Sequence, residues 1–262
     1  MGFPSPTIWH PTDKMKALHM VGKSHSVIVI AAAFAAFTAS PQRGNAQRTE
    51  PSNAQNNLDT LQQYLEPVIR SSNLAVRLYY RANCFKAKEL SGAYDPVPFP
   101  RTKVQPALKS KTGIAAVREI FARDKNVTVS QGSNGIIRIW VGKVPTSILE
   151  TKLRLLKLDS TAQYNPNQAF IELENTKELD GAVSSLGVWP VGNLSSTRAT
   201  AMPGLPHLPN VIRNMTADQF LDEIAKTWAG EGFVVYGACT RATGPNGEKW
   251  FWLDYAGSIF PR

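Results

Sequence analysis

One pattern occurs twice in this chain, and that repeat limits the architecture more than any other feature. Residues 112–120 (TGIAAVREI) and 216–224 (TADQFLDEI) each open on a threonine, carry an apolar pair at the fifth and sixth positions and end in Glu-Ile. Each is followed by a short apolar run (127–129 and 233–236), an Asn-Gly turn (Asn134-Gly135 and Asn246-Gly247) and an alternating stretch. A repeat of this length predicts two related supersecondary units. The expected fold class is α+β: two β-α-β-β modules with intervening helices. Small duplicated modules of this kind point to binding before catalysis.

The modules are placed by local signals. Leu58, Leu61, Leu65 and Val68 recur at helical spacing, so a helix begins near residue 57, and Pro67 is expected to end or kink it. Residues 74–81 are apolar at every second position and predict a half-buried strand leading to Cys84. Residues 95–100, rich in proline, read as a stiff extended connection. The first module then offers a strand at 102–105, a helix over 113–123 capped by Thr112, and a hairpin of 127–130 with 136–141. Between the modules, Pro145 suits the first turn of a helix over 146–156. Asn165-Pro166 starts another, and a stripe of Leu179, Val183 and Leu186 marks a third that Gly187 terminates. Residues 191–209 read as a long loop, proline-rich at its end. The second module has a strand at 210–214, a helix capped by Thr216 that carries Phe220, Leu221 and Ile224, and strands at 233–236 and 249–255. The expected division is therefore 1–46, 47–56, 57–101, 102–144, 145–209 and 210–262.

The first of these segments reads as a secretory signal peptide. Lys14, Lys16 and Lys23 precede an apolar run over 27–37, too short to span a bilayer, and Gly44-Asn-Ala46 offers a cleavage site before Gln47. Cleavage there removes four basic residues and one acidic residue, so the formal charge of +9 falls to +6. No later stretch is apolar enough to form a transmembrane segment, which leaves a periplasmic or extracellular protein whose residues 47–56 form a disordered linker. In such an oxidising compartment Cys84 and Cys239, the two cysteines, are expected to pair as a disulfide; two buried thiols are the alternative.

Catalytic signatures are sparse. His207 is the one histidine beyond the cleavage site, which excludes a histidine-based zinc site and leaves a hydrolase triad only if His207 serves it. Glu172 with Glu174, and Asp222 with Glu223, are too close in sequence to converge on one substrate from a helix. No glycine loop precedes a helix as phosphate cradles require, so no cofactor and no metal are expected. Charge says more. Between residues 77 and 125 eleven basic residues face four acidic ones, and Arg77, Arg81, Arg101, Lys103, Lys109 and Lys111 make a candidate surface for an anionic ligand or polymer. Trp250 and Trp252 share one face of a strand and form a candidate partner surface.

The second module, with its helix at 215–225 and the following Gly232-Phe-Val-Val-Tyr236, resembles the short N-terminal domain of secretins and TonB-dependent receptors. The likeness covers 210–255 and, more faintly, 102–141; the whole chain is similar to small exported bacterial proteins. The resemblance implies a β-α-β order, a periplasmic location and docking to another envelope protein. No pore or barrel segment accompanies the module in these residues, so a channel role is not implied. Three functions follow as expectations: non-catalytic docking in the cell envelope, binding of an anion through the basic surface, or hydrolysis through His207.

Overall fold

Burial of β1 (Val76–Asn83) on both faces organises the molecule: Val76 to Tyr80 are all buried, so the alternating pattern marks a central strand and not a half-buried one. The computed structural model describes residues 55–83, 99–191, 204–241 and 248–257, all within one unit spanning Arg48–Arg262. The expected signal peptide, the linker up to residue 54, Cys84 and the Asn246-Gly247 turn lie outside the described residues.

Beside β1 run β3 (Ile137–Val141) and β7 (Gly232–Arg241), both parallel to it. Each has an antiparallel hairpin partner, β2 (Val127–Gln131) and β8 (Glu248–Gly257), and β5 (Val188–Pro190) adds an edge parallel to β8. The sheet order is β2-β3-β1-β7-β8-β5. A second, two-stranded sheet pairs β4 (Lys152–Lys157) with β6 (Val211–Thr216). Helices and mixed sheets together make the α+β fold that the sequence predicts.

Two apolar clusters flank the large sheet. On one side α1 (Gln55–Ser72) and α2 (Gly113–Ile120) bring Leu61, Leu65, Ile69, Val117 and Ile120 onto Val76, Leu78, Ile139 and Val235. On the other side lie α3 (Ser160–Tyr164), α4 (Pro166–Glu174), α5 (Lys177–Leu186), α6 (Ala217–Thr227) and the small sheet. Their Phe170, Leu179, Phe220, Ile224 and Leu153 cover Tyr79, Tyr236, Phe251 and Leu253.

Several local expectations hold at atomic detail. Thr216 caps α6 through a capping box, its hydroxyl accepting from the Gln219 amide while Gln219 accepts from the Thr216 amide. Asn165 caps α4 with Pro166 at its first turn, and Gly187 ends α5 in the left-handed region at φ 59°. Others are corrected. Residues 102–105 join no ladder; Gln105 instead bonds to the end of α2, its amide donating to the Ile120 carbonyl. Pro67 does not end α1, which runs on to Ser72. One missing backbone hydrogen bond there is outweighed by the buried ridge of Leu61, Leu65 and Ile69, each contributing about 1.5–3 kcal/mol.

The helix expected over 146–156 is a short 3-10 turn (Ser147–Glu150) followed by β4. The sequence misleads for a definite reason. Asn214 of β6 sits at φ 54°, and the ladder has a gap there, between the Leu153–Met215 and Leu155–Arg213 pairs. Along β4 the buried residues Leu153 and Leu156 are three apart, as on a helix, with Leu155 exposed between them. The repeated units also differ in placement: α2 packs on one side of the large sheet and α6 on the other, and β1 meets the second strand of the first hairpin but the first strand of the second.

Candidate functional site

Alternation along β1 decides what each of its side chains can do. Arg77, Tyr79 and Arg81 point to the side covered by α6, where charge is first buried and then released. Arg77 is 1% exposed, which removes it from the expected basic surface. Its guanidinium donates to the Asp218 carbonyl at 2.8 Å, to Asp218 Oδ1 at 2.6 Å and to Asp222 Oδ1, and lies 4.7 Å over the Tyr79 ring. Asp222 also accepts from Arg138 at 2.7 Å and from the Asn134 side chain at 2.9 Å. This cluster ties α6 to β1 and to the β2–β3 hairpin. Two arginines face two aspartates, so the charge is balanced within it.

A cleft of about 270 Å³ opens over this cluster, lined by Tyr79, Arg138, Trp140, Glu150, Thr216 and Asp218. Tyr79 stacks on Trp140 at 3.9 Å with the rings 7° apart. Burial pushes the Tyr79 hydroxyl well above its ordinary range, although Arg77 works against that shift, so it stays protonated and donates to Asp218 Oδ1 at 3.2 Å. Arg77, Arg138, Asp218 and Asp222 are committed to one another, and their arrangement is structural.

The second cleft, about 290 Å³, is different in kind. It lies at the carboxyl ends of β1, β3 and β7, where parallel strands leave a crevice suited to ligands. Three cations line it: Arg81 near the end of β1, Lys143 just past β3, and Lys249 at the start of β8. No carboxylate is among its lining residues, and none of the three is in an ion pair among the described residues. Gly142, at φ 76°, turns the chain out of β3 and carries Lys143 over the sheet end. The connection that follows is pinned by Tyr236, whose hydroxyl donates to the Pro145 carbonyl at 2.9 Å. Tyr236, Ile148, Leu186, Val188 and Trp250 supply an apolar wall.

The expected basic surface is thus divided. Arg81 faces the cleft, while Arg101, Lys103, Lys109 and Lys111 are exposed on the segment before α2, which Val104 and Ala107 anchor to the opposite side of the sheet. Trp250 and Trp252 do share a face, but it is covered: Trp252 is 9% exposed and Trp250 is half-buried against the α1–α2 cluster. Cys239 is buried on β7, in register with Ala82 of β1. His207 is exposed, stacks on Tyr164 at 5.1 Å and lines neither cleft. Glu223 pairs with Lys226, and Asp222 is taken up by the buried cluster, so that pair does not converge. Among the described residues no group of acidic, histidine and cysteine side chains is arranged to hold a metal, and no helix is long and apolar enough to cross a membrane.

Sequence reasoning missed Lys143 and Lys249. Lys143 follows a strand and Lys249 begins one, and those positions gain meaning only once the strand order puts them beside the end of β1. Comparison with protein-family models, curated proteins and solved structures finds no match for the chain.

Proposed function

We propose that the chain is an exported binding protein whose cleft at the ends of β1, β3 and β7 takes a small anion. One observation carries this reading: Arg81 of β1, Lys143 just past β3 and Lys249 of β8 meet at one cleft that has no carboxylate among its described lining residues. Mutually repelling cations held around a concavity lower their energy when an anion sits between them, and low-dielectric walls strengthen the attraction. Apolar lining with a few convergent polar groups is the usual composition of a ligand site.

Pyrophosphate, an anion with no apolar body, is the test. At constant ionic strength it is expected to raise the melting temperature of the full chain and to lose that effect in the Lys143→Gln/Lys249→Gln double variant. A chain that pyrophosphate does not stabilise, or a double variant that responds equally, sinks the reading.

A second reading, docking to an envelope protein through a sheet edge, is favoured by β5. This three-residue edge strand leaves Trp189 49% exposed. Docking of that kind depends weakly on salt, whereas anion capture weakens steeply as salt rises.

A further inference from the structure

The cleft between Arg81, Lys143 and Lys249 is larger than an inorganic anion needs, and the excess is apolar. A dry apolar cavity of about 150 Å³ suffices to bind benzene. At about 290 Å³ this cleft has room for a ring of that size together with an anionic headgroup. Its lining is segregated to match. Cations come from the ends of β1 and β3 and the start of β8, while Ile148, Leu186, Val188 and Trp250 form the wall. Leu186 is 37% exposed, so it presents apolar surface to a ligand.

We propose that the ligand is an amphiphilic anion: an aromatic or short aliphatic body seated against Ile148, Leu186 and Val188, with a phosphate or carboxylate group held by Arg81, Lys143 and Lys249. This rests on the anion-binding reading above and adds the class of ligand to it. Burying the body contributes through the apolar area removed from water, while the headgroup fixes orientation.

Methyl phosphate and phenyl phosphate separate the two claims, because they share a headgroup and differ in the body. Calorimetric titration of the full chain is expected to give phenyl phosphate at least tenfold tighter binding. Leu186→Asn, at a partly exposed position, is expected to cut the phenyl ester's affinity severalfold and that of methyl phosphate by much less. Equal affinity for both esters, or binding of pyrophosphate with neither ester, overturns the amphiphile and leaves the anion site standing. If pyrophosphate and both esters all fail to bind, the anion site itself falls. Phenyl phosphate binding that survives Lys143→Gln/Lys249→Gln intact also rules out the cation cluster as its holder.

Discussion

Arg77 shows how far a single residue's meaning depends on what lies elsewhere in the chain. Within residues 74–81 it occupies a polar position of an alternating run and reads as solvent-facing. Its partners, Asp218 and Asp222, come 141 and 145 residues later and were legible only as helix-surface acids. A guanidinium buried this deeply needs both, since an unpaired buried charge costs several kcal/mol. Glu174 shows the opposite situation. Its Oε1 atom is buried without a partner, and burial pushes its pKa from 4.5 up to about 7. A raised carboxyl pKa means that the folded state holds its proton while the unfolded state loses it. Stability is therefore full below about pH 4.5 and declines as pH rises to about 7, by on the order of 3 kcal/mol. Glu174→Gln is expected to flatten that decline in urea denaturation measured from pH 4 to 8. An unchanged slope would assign the pH dependence to other groups.

At the scale of elements, the helices were more readable than the strands. Caps and stripes are local, so α4, α5 and α6 announce themselves through Asn165-Pro166, Gly187 and Thr216. β4 does not, because its core residues Leu153 and Leu156 have helical spacing and its partner β6, kinked at Asn214, lies about 60 residues away. That kink rests on Asn214, a residue type that tolerates the left-handed region better than any branched one. Asn214→Val is expected to cost about 1–2 kcal/mol in equilibrium unfolding, while Asn214→Gly stays close to neutral. Equal losses in both variants would mean that the side chain, and not the backbone angle, matters there. The site follows the same division. Arg81 could be named from a basic run, whereas Lys143 joins it only through the parallel pairing of β1 with β3, and Lys249 only through β7 and its antiparallel partner β8.

The whole molecule is held by contacts between distant parts of the chain. β1 is flanked by β3 and β7, and its register with β7 sets Ala82 beside Cys239, with Cys84 two residues further along the sequence. A Cys84–Cys239 bond remains our expectation. It would close a loop of about 155 residues, for which chain entropy gives about 4–5 kcal/mol. The oxidised chain is expected to melt well above the reduced chain and above Cys239→Ser. Identical melting of all three would exclude the bond.

The pairing of Val76 with Phe233 also has a consequence in time. A ribosome releasing this chain delivers β1 early, yet the strand cannot gain its β7 neighbour until the C-terminal hairpin has been synthesised. Closing so long a loop comes before any of its contacts can repay it, which slows folding. For most of its synthesis the nascent polypeptide therefore lacks the β1–β7 ladder, and under the export we propose, an incompletely folded chain is what a translocation channel can thread.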